Sequence, residues 1–132
     1  MADTCTPSRL AEELGLQRGM RVWFHHMPDS IRAAIDPDSV GVEEQISASD
    51  GLQGVHLFVS EPGRLPCQLR ALRGLLAPNG FVWVAWPASL ATVSRQTIMD
   101  VATPLGLVAT RDCTLDSVWS AIRFINRRAE KP

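Results

Sequence analysis

The sequence predicts a single α/β domain built on a mainly parallel sheet of six strands. Its 132 residues, with 45% hydrophobic and 20% charged side chains, are typical of a soluble protein with one hydrophobic core. Stretches with strand patterning alternate with stretches of helical patterning, which is typical of parallel strands joined by right-handed helical connections. Near the C-terminal end, two strand-like runs are separated only by residues 115–117, which predicts an antiparallel hairpin.

The strongest indication of this fold is the stretch LRALRGLLAPNGFVWVAWP, residues 69–87. Leucines at positions 65, 69, 72 and 76 have the spacing of one helical face, so we expect a helix over residues 64–77. The Pro-Asn-Gly sequence at 78–80 predicts a turn that ends this helix, with its glycine supplying a positive φ angle. The apolar run that follows, residues 81–86, predicts a central strand that is buried on both faces.

The elements before that stretch follow from turn formers and apolar runs. We predict a helix over residues 8–14, a strand over 20–25, a short helix over 31–35, an edge strand over 40–46, a polar loop over 47–54 and a central strand over 55–60. Gly15 is expected to end the first helix, and Asp29 or Ser30 to cap the second. Asp36 should end that second helix, because a residue before proline is pushed out of helical geometry.

One more helix and the two hairpin strands complete the predicted domain. They are expected over residues 95–105, 107–114 and 118–126, with Ser94 as the helix cap. We expect residues 1–6 and 127–132 to be flexible ends of this single domain.

The charge and the cysteines exclude several kinds of partner and site. The formal net charge is -1, which gives no electrostatic footprint for nucleic acid or for an anionic membrane surface. No apolar run is long enough to span a bilayer, and the first residues lack a secretory leader. Cys5, Cys67 and Cys113 form no C-x-x-C pair, so we expect no disulfide framework or zinc site and predict a cytoplasmic protein. The last two cysteines have no basic neighbour and are expected to be inert packing residues.

The order of strand, helix, strand with LLAPNGFVWVAWP, then helix and hairpin resembles the second half of class I S-adenosylmethionine-dependent methyltransferases. The stretches LGLQRGMRV, VHLFVS, LRGLLAPNGFVWVAWP and DSVWSAIRF more closely resemble a small bacterial family of uncharacterised domains, the domain of unknown function 3052. These resemblances imply a compact, three-layer, Rossmann-like domain. The bacterial family brings no established activity, and its members tend to have lysine after the Trp-Pro step, where this chain has Ala88.

The resemblance to methyltransferases does not extend to their cofactor-binding loop. In that family the first strand leads into a glycine-rich loop, which lets the backbone approach the cofactor. The corresponding residues here, 24–30, read FHHMPDS and contain no glycine. There is also no clear acidic residue to hold a ribose at the end of the second strand, although Glu43 and Glu44 lie nearby. We therefore predict no cofactor.

Candidate site residues follow from where the predicted strands end. In open α/β sheets, ligands bind beyond the carboxyl ends of the strands, at the point where the strand order reverses. There a histidine pair, a hydroxyl group, a carboxylate and indole rings could form a small polar pocket, with Trp119 as its floor. The candidates are His25, His26, Ser60, Glu61, Trp86, Asp116 and Trp119. A metal ion would need Glu61 or Asp116 as a third ligand beside the histidines, and we predict no metal site.

Simpler structural roles are the alternative for several of these side chains. Neighbouring residues on a strand point to opposite faces, so His25 and His26 could not easily serve one site. His56 lies inside a central strand and is expected to be buried and hydrogen-bonded. A solvated helix face, not an anion site, is the expected role of Arg64, Arg70 and Arg73.

We favour a non-catalytic binding or regulatory module with a degenerate nucleotide site, because the core pattern is intact while the nucleotide-binding glycines are missing. Its partner would be a small molecule or another protein, and the exposed edge strand at 40–46 would also allow self-association. The alternative is a diverged S-adenosylmethionine-dependent transferase, or another small enzyme, in which His25 or His26 acts as the base and Glu61 as its partner.

Overall fold

The computed structural model describes residues 9–89 and 93–126, in which six strands form one sheet. The strands are β1 (Arg21–His25), β2 (Glu43–Glu44), β3 (Leu52–Phe58), β4 (Leu76–Pro87), β5 (Leu107–Thr114) and β6 (Trp119–Asn126). Their order across the sheet is β2-β1-β3-β4-β6-β5. The first four strands are parallel, whereas β6 is antiparallel to both β4 and β5. The predicted mainly parallel sheet with a C-terminal antiparallel hairpin is confirmed.

Helices cover both faces of the sheet. They are α1 (Arg9–Glu13), α2 (Asp29–Ile35), α3 (Pro37–Val40), α4 (Leu65–Arg73) and α5 (Arg95–Ala102). Leu69 of α4 and Ile98 of α5 belong to one buried core cluster, and Ile31 of α2 belongs to a second. Val84 and Ala85 are neighbours on β4 but fall in different clusters, because successive side chains of a strand point to opposite faces. The domain therefore has three layers, as predicted.

The caps around α2 differ from the prediction. The helix begins after Pro28, and no side chain caps it, so the expected capping by Asp29 or Ser30 is wrong. Asp36 ends α2 in a left-handed conformation with a φ of 53°. Pro37 then begins α3, because a proline in the first helical turn loses no hydrogen bond.

The predicted edge strand over residues 40–46 is present only at Glu43–Glu44, so its predicted length is wrong. Val40 is the buried end of α3, and Gly41 follows it in a left-handed conformation with a φ of 88°. The strand at this edge, β2, pairs with β1 at only two positions, and the side chain of Ile46 beyond it is fully exposed. A loop without a helix then crosses β1 to reach β3. Self-association through this edge stays a prediction, with two residues of strand to support it.

The predicted turn at residues 78–80 is a bulge within β4. Leu76 opposes Leu52 and Phe81 opposes Gly54, so β4 advances five residues where β3 advances two. Gly80 does not have the positive φ angle that we expected. It is needed for space instead, because a Cβ atom here would lie 2.8 Å from the Leu52 carbonyl oxygen. The helix before this bulge is shorter than predicted, and its last expected leucine lies in β4.

The C-terminal half agrees closely with the prediction. The Ser94 hydroxyl oxygen accepts a hydrogen bond from the Thr97 backbone N–H at 3.2 Å, which confirms the cap of α5.

Near the N-terminal end, Gly15 has a φ of 80° directly after the first helical segment, as expected. The ends predicted to be flexible, residues 1–6 and 127–132, lie outside the described residues. No helix in the described ranges has the length and apolar character that crossing a membrane requires.

Candidate functional site

The strand order reverses between β1 and β3. The chain leaves β1 toward β2 on one side, and it leaves β3 toward β4 on the other side. The helices that follow the two strands pack on opposite faces of the sheet, α2 in one core cluster and α4 in the other. The connecting segments therefore separate and leave a crevice beyond the carboxyl ends of β1 and β3, which is where open α/β sheets bind ligands.

This crevice has a volume of about 440 Å³ and is called the cleft below. Its size lies within the range of small-molecule binding sites. The end of β1, the segment after β3 and the start of α4 each contribute side chains. The lining residues are His25, His26, Phe58, Val59, Ser60, Glu61, Arg64, Cys67 and Gln68. Four of the seven candidates from the sequence, the two histidines, Ser60 and Glu61, thus lie together.

The two histidines share the cleft because the backbone turns between them. His26 has a φ of 60°, in the left-handed region that few residues other than glycine adopt. The two imidazole rings are nearly perpendicular, with 4.0 Å between their centroids. The expectation that they point to opposite faces is wrong, since it assumed that the strand continues through His26. Burial, and then the neighbouring His26, lowers the pKa of His25, so this ring is neutral at neutral pH and can accept a proton.

Substitution of His26 should reveal the strain in this turn. We expect His26→Val to destabilise the protein by about 1–2 kcal/mol relative to His26→Gly, because a β-branched residue tolerates a positive φ poorly. Urea unfolding of the two variants at pH 7 measures this difference. Equal stabilities would show that the chain relaxes out of the left-handed conformation at no cost.

The acidic residue at the end of β2 is Glu44, and it is already engaged. Its carboxylate accepts two hydrogen bonds from the Arg32 guanidinium of α2, at 2.9 and 2.6 Å. The hydrogen bond with Arg32 is the main cause that lowers the pKa of Glu44, and the same bond raises the pKa of Arg32. Arg32 also lies over the Phe24 ring, 5.6 Å from its centroid. A ligand that used this carboxylate would have to compete with a bidentate arginine.

The other three candidate residues lie outside the cleft. Trp86 lines a separate cavity of about 290 Å³, with Arg95 and Asp112 among its neighbours. Asp116 holds the hairpin turn, where one carboxylate oxygen accepts the backbone N–H groups of residues 118 and 119 at 2.8 Å each. Trp119 packs against Phe58, which does line the cleft, with ring centroids 5.3 Å apart. Trp119 therefore supports the wall of the cleft from behind and is not its floor.

The start of α4 and the residue directly before it also line the cleft, which the strand ends alone did not predict. Arg64 was assigned to a solvated face and Cys67 to inert packing, yet both line the cleft with Gln68. Cys67 is exposed, whereas burial raises the pKa of the half-buried Cys113. One available signal was the position of the helix start: a helix that follows a strand at the switch point begins at the same edge as the ligand crevice.

His56 is buried as predicted, but its Nε2 atom lacks the expected hydrogen bond. Only 2% of its surface is exposed, and its Nε2 atom has no hydrogen-bond partner among the described residues. It lies two residues before the end of β3, and its ring packs against the rings of Phe24 and Phe81. In the same described ranges, no three His, Cys, Asp or Glu side chains come together as a metal site would require.

Solved structures with similar folds include proteins described as S-adenosylmethionine-dependent methyltransferases. A S-adenosylmethionine-dependent methyltransferase from Aquifex aeolicus matches with a TM-score of 0.61 and 11% identity, over 92% of this chain and 94% of the other. A TehB-like S-adenosylmethionine-dependent methyltransferase from Corynebacterium glutamicum matches with a TM-score of 0.54 and 15% identity, over 89% and 85%. Aeropyrum pernix fibrillarin, solved with natively bound S-adenosyl-L-methionine, matches with a TM-score of 0.51 and 14% identity, over 88% and 73%.

The chain therefore has the Rossmann-like fold of class I S-adenosylmethionine-dependent methyltransferases. These identities are low enough that the likeness shows the fold alone. No family model and no curated protein sequence matches this chain. Membership of the bacterial family of uncharacterised domains stays a prediction.

Proposed function

We propose that this chain is a diverged S-adenosylmethionine-dependent transferase, which binds its cofactor in the cleft at the carboxyl ends of β1 and β3. The observation that carries the proposal is the position of the cleft, at the point where the strand order of a methyltransferase fold reverses. The shared fold supports this alternative better than the non-catalytic module that we favoured from the sequence.

The residues of the cleft have the chemistry that an adenosyl cofactor needs. Phe58 and Val59 offer an apolar surface to a purine ring, and the Glu61 carboxylate offers negative charge to a cationic ligand. A bound S-adenosylmethionine would supply a methyl group activated by a positively charged sulfur. His25, whose pKa is lowered, can take the proton that an acceptor group loses, with Glu61 as the polar partner at the same cleft.

Filling the cleft should abolish cofactor binding. Ser60 lines the cleft and is exposed, so Ser60→Trp is expected to block it without disturbing the core. We expect calorimetric titration of the unaltered protein with S-adenosylmethionine to give a saturable isotherm, and the Ser60→Trp variant to bind at least tenfold more weakly.

The matched control for this experiment is Ser117→Trp. Ser117 is an exposed serine in the hairpin turn, outside the cleft, and its replacement should leave the affinity unchanged. Equal affinities in all three proteins would mean that the cofactor binds elsewhere. If the titration of the unaltered protein with S-adenosylmethionine shows no binding, that result contradicts the proposal itself.

A non-catalytic binding module is the second candidate, and two observations favour it. The left-handed position after β1 carries His26 in place of a glycine, so a side chain stands where a backbone could approach a ligand. The carboxylate at the end of β2 is bound by Arg32. A thermal-shift screen against nucleotides, coenzymes and small acids separates the two candidates. Uniformly weak responses, together with a protein partner found by pull-down, would favour the module.

A further inference from the structure

One side of α4 faces the cleft, while its leucines pack on the sheet. Arg64, Cys67 and Gln68 line the cleft. They are spaced i, i+3 and i+4, so they lie on the same side of the helix start and can reach one ligand together. None of these three side chains has a role in the proposed cofactor contacts.

Arg64 is the strong cation of this surface. Its guanidinium forms no ion pair with any acid in the described part of the chain, including Glu61 three residues before it. Arg32 and Arg95, in contrast, are paired with Glu44 and Asp112. Arg64 thus lines the cleft with its hydrogen-bond donors available to a ligand.

Most of the remaining polar groups of the cleft can donate hydrogen bonds as well as accept them. The Gln68 amide, the Ser60 hydroxyl and the two imidazole rings can each donate a hydrogen bond, while Glu61 is the acid that lines the cleft. A guanidinium binds a carboxylate or a phosphate through two parallel hydrogen bonds, and a concave site with apolar walls strengthens this attraction over that at a flat surface.

We propose that the acceptor substrate of this transferase is an anion, whose carboxylate or phosphate group is bound by Arg64 with Gln68 beside it. This inference rests on the proposed function, since it names the substrate class of the same cleft. It also revises the role predicted for Arg64 from the sequence, which was to be solvated and to bind no anion.

Two probes test the inference and distinguish the two anions: inorganic phosphate and succinate, with succinamide as the uncharged analogue. Affinities are measured by thermal-shift titration at pH 7 and constant ionic strength, for the unaltered protein, Arg64→Gln and Arg70→Gln. Arg70 is the matched control, because it is an exposed arginine of α4 that does not line the cleft. We expect at least one anion to bind, succinamide not to bind, and Arg64→Gln alone to weaken binding by about tenfold or more.

Several results would overturn the inference. Anion binding that is the same in Arg64→Gln, or that falls equally in both variants, would show that the site is not at Arg64. Binding of S-adenosylmethionine without binding of either anion would remove the inference and leave the proposed function standing. Anion binding that depends on Arg64, in a protein that does not bind S-adenosylmethionine, would support the anion site and contradict the transferase.

Discussion

Acidification from pH 6.5 to about 4 is expected to destabilise the protein by about 3 kcal/mol, mainly through His56. Its ring lies 5.0 Å from the Phe24 ring and 6.3 Å from the Phe81 ring, and burial lowers its pKa from 6.5 to about 3. Between these two pH values the unfolded chain binds a proton that the folded chain does not. The free energy of unfolding is therefore highest above pH 6.5 and falls by about 1.4 kcal/mol per pH unit toward pH 3.

Replacement of His56 by leucine should remove most of this dependence. Leucine at position 56 cannot be protonated and leaves no unpaired buried nitrogen there, so we expect the variant to be at least as stable as the unaltered protein at pH 7. Urea unfolding at a series of pH values between 6.5 and 5 measures the slope directly.

Glu44→Gln is the control for the acid series. Glu44 has a pKa below 4.5 because of its hydrogen bonds with Arg32, so its contribution to stability is lost only at lower pH. This variant should keep the slope between pH 6.5 and 5. An unchanged slope in His56→Leu would mean that His56 is not buried in its neutral form.

Alanine at position 80 is expected to destabilise the protein by about 3 kcal/mol. In a strand without a positive φ angle, glycine to alanine normally stabilises, because the unfolded chain loses freedom. Here the new Cβ atom would lie 2.8 Å from the Leu52 carbonyl oxygen and 3.0 Å from that of Ala77. Both oxygen atoms belong to the backbone, so the bulge in β4 would have to open to make room for the new Cβ atom.

Gly63→Ala is the matched control for this substitution. A Cβ atom at Gly63 would meet nothing within 4 Å, and the residue has no positive φ angle. We expect its unfolding midpoint in urea to stay close to that of the unaltered protein. A Gly80→Ala variant as stable as this control would show that the close approach between β3 and β4 is absent in solution.

The central part of the fold could be predicted because its signals are local. β3 and β4 are apolar on both faces, and the leucines of α4 have helical spacing, so neither assignment needs information from the rest of the chain. The region before β3 could not be predicted in the same way. Val40 and Val42 alternate with small or polar residues as in a strand. In the structure, however, Val40 is a buried residue of a four-residue helix, which is too short to show a helical period in the sequence.

The bulge in β4 illustrates a second limit of sequence patterns. Pro-Asn-Gly is as compatible with a bulge as with a turn, and only the pairing of Leu76 and Phe81 with β3 distinguishes them. Nothing near Gly80 in the sequence shows that the Leu52 backbone passes close to it.

The candidate site could be predicted in part, from strand ends alone. The rule that ligands bind at the carboxyl ends of strands predicts His25 and Glu61, because His25 ends β1 and Glu61 follows β3 at the reversal point. It did not find Arg64, whose position depends on how α4 starts. Trp86 was included because it lies near the end of β4, but its side chain packs in the core cluster of α4 and α5 and lines another cavity.

The most direct test of the proposed transferase is a crystal structure of the protein grown with S-adenosylmethionine. We expect density for an adenosyl group in the cleft between His26 and Glu61, against Phe58. Density for that group beside Trp86 instead, or an empty cleft at saturating concentrations of the cofactor, would contradict it.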